Sequence, residues 1–256
     1  MDLASLWNLQ GQLFTLLAVG ALLRKMGLFS EHTKGFLTDL VLYVTLPSSI
    51  ILSFRMDVSR EILLSFSIIF FVSLGIQLFC FLLSKMTYCK QEQGKKSVLR
   101  YGLLVSNAGF LGLPIAGELF GAAGFMYASI YLIPQRIVMW TAGLSIFSPA
   151  AVNRKQAALK VILHPCMVAV YIGLLWMVFP VKIPSFMEMT LSSLASCTTA
   201  LSMMLIGSLF AEMKKEHLRI DRNLVSFSLL RLGFIPLVSF VATKLLGLDP
   251  LIIGVS

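Results

Sequence analysis

The chain has 256 residues, of which 57% are hydrophobic and only 13% charged, and its formal net charge is +9. Soluble domains keep about a quarter of their residues charged, so a share half that size excludes a water-soluble globular protein and points to a chain whose solvent is lipid. On such a chain an excess of Lys and Arg marks cytoplasmic loops, so no nucleic-acid partner is expected.

A helix needs about 20 mostly apolar residues to cross a bilayer. In chain order the sequence predicts eight, at about 7–23, 35–53, 62–84, 98–120, 122–148, 159–179, 187–211 and 223–245, and PLIIGVS at 250–256 reads as the start of a ninth. The first span follows Asp2 and lacks a basic segment with a small-residue cleavage site, so it is expected to be a retained helix.

The second span carries TLPSS at 45–49, where Pro47 frees the carbonyl at Tyr43 and Ser48 and its neighbours offer hydroxyls. The fourth carries SNAGFLGLPIAG at 106–117. Glycine costs a helix interior roughly 1 kcal/mol and proline about 3 kcal/mol, so Gly109, Gly112 and Pro114 predict a broken helix. Pro114 cannot donate to Phe110, the glycines allow turning and close approach, and Ser106 and Asn107 can satisfy freed groups or hold a ligand. Irregular backbone at membrane depth survives only when buried in protein or lining a wet cavity. A half-helix starting after the break would point free N–H groups at such a cavity, which suits an anion. Gly117 and Gly121 read as a packing face.

The fifth span holds Arg136 about 14 residues in, roughly 21 Å deep, and the eighth holds Arg231 about 8 residues in, roughly 12 Å deep. No acid stands clearly at the same depth. Arg231 is read as the partner of an anionic ligand, and Arg136 as a structural hydrogen-bond donor near the same site. His164 followed by Pro165 reads as a helix entry.

The remaining cations fix the expected orientation. Arg24, Lys25, Lys34, Lys85, Lys90, Lys95, Lys96, Arg100, Arg154, Lys155, Lys160, Lys214, Lys215, Arg219 and Arg222 follow the odd-numbered spans, whereas Arg55, Arg60, Lys182 and Lys244 fall on the opposite side. A multi-pass protein of the cell membrane with its N-terminus outside is expected. Cys80, Cys89, Cys166 and Cys197 show neither CxxC nor metal-ligand spacing, so reduced thiols are expected, with no metal, no cofactor and no catalytic residue.

Spans 1 to 3 and 6 to 8 start about 152, 152 and 161 residues apart. This spacing suggests inverted repeats of five helices, at 1–148 and 149–256. The counterpart of the break is then expected near 265–275, so the second repeat is read as incomplete, ending after about three helices and the start of a fourth.

At Asn107, Gly109, Gly112 and Pro114, at YVTLP in span 2, at RIVMWTAG (136–143) and at RLGFIP (231–236), the chain resembles the auxin efflux carrier family of membrane transport proteins, which includes bacterial malate and malonate permeases. The resemblance implies two inverted five-helix repeats with broken fourth helices crossing at the substrate site. Arg136 departs from the smaller polar residue found there in some members. The expected fold is an all-α polytopic membrane protein, and the expected function is a non-enzymatic secondary carrier of small organic anions, working by alternating access. The alternative is a multi-helix receptor or sensor that binds a small anion without transport. The expected partners are that anion and the lipid bilayer, with a homo-oligomer left open.

Overall fold

The computed structural model describes residues 3–55, 60–89, 91–147, 154–179, 183–213 and 222–256. Lys90, Lys182, Lys214, Lys215 and Arg219 of the charge pattern lie outside them. Among the described residues the secondary structure is helical throughout, with no strand. Five stretches are long and apolar enough to cross a membrane: Glu31–Ser53, Arg60–Met86, Gln93–Val138, Ser185–Ala211 and Arg222–Leu245. The chain is an all-α polytopic membrane protein.

Arg60–Met86 shows how such a helix is patterned. Leu64, Ile68, Phe71, Leu74, Leu78 and Leu82 are exposed, at spacings of three and four. Phe66, Ile69, Ser73, Gln77, Cys80 and Ser84 form the opposite, buried face. Three of these six are polar, so the outward face is the more apolar one. That is the expected arrangement where lipid surrounds the helix and polar groups find partners only inside.

Three prolines share one local device. π-Helical turns at Val41–Thr45, Ala108–Gly112 and Leu229–Phe234 each end two residues before a proline, Pro47, Pro114 and Pro236 respectively. In two of them the residue before the proline shows the widened bond directly, since Leu46 N–H reaches Val41 O and Ile235 N–H reaches Leu230 O, five residues back. The extra residue enters the turn where a proline neither donates nor leaves room for the carbonyl four residues earlier. The helix therefore widens without stopping, and TLPSS is not the interruption that its composition suggests.

The fourth and fifth spans also differ from the sequence reading. Gln93–Leu104 stops at Val105, whose φ of −120° and ψ of 123° are extended, and helix resumes at Ala108. The break thus lies at 105–107, upstream of Gly109, Gly112 and Pro114. Leu113–Val138 runs through Gly121, which has φ 66° and ψ −156° and redirects the chain without a loop. This backbone region is essentially reserved for glycine. Gly121→Ala is expected to cost about 1–3 kcal/mol, read as a lower unfolding temperature. Gly117 serves as a packing position, since a Cβ there would strike Phe125 on the far side of this kink, whereas one on Gly121 would meet no atom within 4 Å. Arg154–Ile162 and Pro165–Val178 meet at His164, whose Nδ1 accepts from Cys166 N–H at 3.3 Å, as a helix entry should.

The chain divides into two compact units. The first comprises Met1–Met56, Phe110–Phe125 and Ala169–Arg219. Its principal contact joins Leu3–Lys25 to Ser185–Ala211, and it has a reciprocal form. A Cβ on Gly20 would fall on the Met204 main chain, and one on Gly207 would fall on the Leu17 main chain. Each clash lies three residues before the opposing glycine, so the two backbones touch symmetrically. Around this crossing Leu9, Leu13, Met203 and Ile206 form a core with Phe110, Ile115 and Leu119. At one end Glu212 pairs with Arg24 at 2.8 Å and with Lys34, while Glu31 meets Arg24 at 2.9 Å. At the other end Arg55 pairs with Glu188. The exposed Arg55–Glu188 pair contributes little stability, about 0–1 kcal/mol, whereas the Glu212 cluster includes the buried Lys34. Their value is positional: the loops after spans 1 and 7 share one end, as the charge pattern expects.

The second unit comprises Asp57–Gly109, Met126–Val168 and Ile220–Ser256. Its core gathers Cys80, Leu103, Leu104 and Ile235, with Phe79, Val105, Val138 and Leu230 packed against them. Asn223 Nδ2 donates to Gln91 Oε1 at 3.3 Å, which ties the start of Arg222–Ser228 to the segment after Arg60–Met86.

Candidate functional site

A helix that ends inside a membrane leaves carbonyls without partners. At the 105–107 break, side chains from three other helices supply them. Arg231 Nη1 donates to Leu103 O at 2.8 Å, Gln77 Nε2 to Leu104 O at 3.2 Å, and Gln135 Nε2 to Ser106 O at 2.8 Å. The Ser106 hydroxyl completes the set by donating to Gln135 Oε1 at 3.0 Å. Because a carbonyl only accepts, the Gln135 amide has one orientation that satisfies both bonds.

The break is therefore a built structure. A buried group stripped of its partner costs about 1–3 kcal/mol, and Gln135→Leu strands both the Ser106 carbonyl and its hydroxyl. That variant is expected to melt lower than Gln135→Glu, which can still accept from the hydroxyl but cannot donate to the carbonyl. Thermal unfolding of the two purified variants makes the comparison.

Arg231 lies in the Leu229–Phe234 π turn, beside Cys80. Its place at the C-terminal end of the 93–104 half-helix puts a full positive charge against the negative end of a helix dipole. This explains why the sequence offers it no acid: its first counterpart is main chain. Among the described residues it takes part in no ion pair, and a guanidinium has five N–H donors.

Arg136 is placed differently. It is only 6% exposed, it neighbours His164 and Cys166, and its Nη1 has no hydrogen-bond partner among the described residues. No hydrogen bond among these residues ties it to the break. Asn107 is exposed, and a Cβ on Gly109 would meet no atom within 4 Å. Gly109 thus serves no close backbone approach, and the space beside it is open.

In the first unit Pro114 helps to line a cavity of about 400 Å³, together with Gly117, Glu118, Ser49, Ser196 and Thr199. Ser48 faces away from it, its hydroxyl donating to Val44 O at 2.8 Å. The hydroxyl from this part of span 2 that reaches the cavity is Ser49. Gln77, Gln135 and Glu118 are the residues that sequence reasoning missed. Each is a polar side chain inside a predicted span, and intramembrane polarity alone could have marked them.

Comparison with known proteins supplies the family. The family profile described as "Membrane transport protein" matches residues 11–158 and 151–255, nearly the full length. The chain belongs to the membrane transport protein family. This is the family of the auxin efflux carriers. A relative named "Uncharacterized transporter MJ1031", from Methanocaldococcus jannaschii, is 26% identical over 200 residues, covering 75% of this chain and 65% of that protein. The chain thus spans a little under two thirds of that relative's length. Membership of this transporter family, with several apolar spans, places the protein in a membrane as a multi-pass chain.

Proposed function

We propose that this membrane transport protein is a secondary carrier of small organic anions, working by alternating access around its broken helix and performing no chemistry on its cargo. The observation that carries the reading is Arg231, a cation held at a helix break in the membrane with main chain and, among the described residues, no acid as its counterpart. Its remaining donors suit a carboxylate. Ser106, Asn107 and Gly109 flank the substrate beside open space, and Arg136 supports the surroundings within the same unit; in the first unit Gly112 and Pro114 shape the half-helix that follows the break, and Pro47 and Ser48 shape span 2. The two inverted repeats, at 1–148 and 149–256, provide the symmetry for inward and outward states, with the N-terminus outside the cell membrane. With no GxxxxGK motif in the sequence, an ion gradient or the substrate's own gradient drives movement.

Calorimetric titration of the purified protein with malonate and with malonamide tests this reading. The dianion is expected to bind and the neutral amide of the same shape is not. Equal binding of both, or of neither, would remove the anion from the proposal.

A further inference from the structure

Arg136 is a cation without a counter-charge. It lies in the Gln93–Val138 span, only 6% of it is exposed, and its buried Nη1 has no hydrogen-bond partner among the described residues. Among the same residues it takes part in no ion pair. Arg231 faces the negative end of a half-helix through Leu103 O. Arg136 stands at the opposite kind of helix end.

Its neighbours His164 and Cys166 belong to the N-terminus of Pro165–Val178, a helix of 14 residues. There the first N–H groups close on His164: Met167 N–H reaches its main-chain oxygen at 2.8 Å, Val168 N–H reaches the same oxygen at 3.0 Å, and Cys166 N–H reaches Nδ1 at 3.3 Å. A ring nitrogen that accepts carries no proton. The neutral imidazole therefore holds its proton on Nε2, where it is a donor. The helix adds no free N–H, but its positive end raises the potential around the guanidinium instead of lowering it. Donors and positive charge gather here.

An ionised group withdrawn from water and left unpaired is strongly unfavourable in a membrane span. Water could accept its protons, yet would leave the charge. One guanidinium calls for one negative charge, and with Arg136 and Cys166 both buried the enclosure suits a compact one. We propose that Arg136, with the Nε2–H of His164, binds a halide-sized monovalent anion such as chloride as a fixed counter-ion of the second unit. The site is independent of the Arg231 break and of what the carrier moves.

The test needs no substrate. The unfolding temperature of the purified protein is measured in sodium chloride and in sodium gluconate, whose anion has the same charge and is far larger. Wild type is expected to melt higher in chloride, with a shift that saturates. Arg136→Gln should lose the shift and, having no buried charge to leave unpaired, should melt in gluconate at or above wild type. His164→Asn can still accept from Cys166 N–H as a helix cap but withdraws the Nε2–H, so it should need several-fold more chloride. Arg231→Met should keep the wild-type shift. Equal melting of wild type in both salts, an undiminished shift in Arg136→Gln, or a shift lost in Arg231→Met overturns the proposal. So does an Arg136→Gln protein that melts below wild type in gluconate, which makes Arg136 a structural donor. Equilibrium dialysis with radioactive chloride reads the site without unfolding: wild type is expected to retain the ion against gluconate and His164→Asn to retain several-fold less, and no retention by wild type overturns the site.

Discussion

Gly207→Leu is expected to be the most destabilising single change in the first unit. The contact it disrupts is backbone on backbone: a Cβ on Gly207 would come within 2.8 Å of the Leu17 carbonyl carbon and 2.9 Å of its Cα. Overpacking a core usually costs about 1–3 kcal/mol, because neighbouring side chains can change rotamer. Here no rotamer gives relief, since the obstructing atoms belong to a helix main chain. The loss should exceed about 3 kcal/mol, the upper end of that range, and it should part Leu3–Lys25 from Ser185–Ala211. The reciprocal substitution Gly20→Leu is expected to match it. Gly11, on the same helix with nothing within 4 Å of its Cβ position, provides the control. Gly11→Ala should be neutral or mildly stabilising, by up to about 1 kcal/mol. Size-exclusion behaviour and unfolding temperature in detergent report both outcomes, and a Gly207→Leu protein that melts like wild type would remove the close crossing.

The second large effect belongs to Arg231. Methionine is comparable in length and cheap to place in lipid, so removal of an idle charge would raise stability. The bond from Nη1 to Leu103 O at 2.8 Å means the charge is not idle. Arg231→Met strands that carbonyl and leaves the half-helix dipole without its counter-charge, so the variant should melt lower than wild type. Hydrogen bonds to charged groups are worth about 1.5–3 kcal/mol, so anion affinity should fall roughly 10- to 150-fold. Arg231→Lys keeps the charge and loses the planar fork. It should fall between the two in melting and in affinity. A Met variant that binds malonate as wild type does and melts lower would leave Arg231 as a cap alone.

The all-helical membrane class was legible because it rests on composition and on runs of apolar residues, which carry their meaning locally. The shared end of spans 1, 2 and 7 was legible for a related reason: Arg24 and Lys34 both follow span 1 in sequence, and both meet Glu212 after span 7. Position of the break was not. Gly109, Gly112 and Pro114 announce a weak helix, yet a π turn absorbs Pro114, and the chain opens at Val105, where Arg231, Gln77 and Gln135 stand ready to take the carbonyls. Those partners come from helices 27 to 128 residues away in sequence, beyond the reach of any local propensity. Arg231 was marked by its depth alone, and its counterpart, a helix end, carries no charge that a sequence displays. The unit-1 cavity was hidden for a third reason. Ser49, Gly117 and Ser196 each look like ordinary small residues, and the space they leave exists only where three helices bring them together.

Solute counterflow tests the central claim, a carrier built on a capped helix break, most directly. Proteoliposomes loaded with unlabelled malonate are placed in a trace of labelled malonate, with no ion gradient imposed. Wild-type protein is expected to accumulate label transiently inside, and Arg231→Met and Gln135→Leu proteoliposomes to accumulate little. A protein that binds malonate in detergent while wild-type proteoliposomes show no counterflow would contradict the carrier and make this chain a binding protein of the membrane.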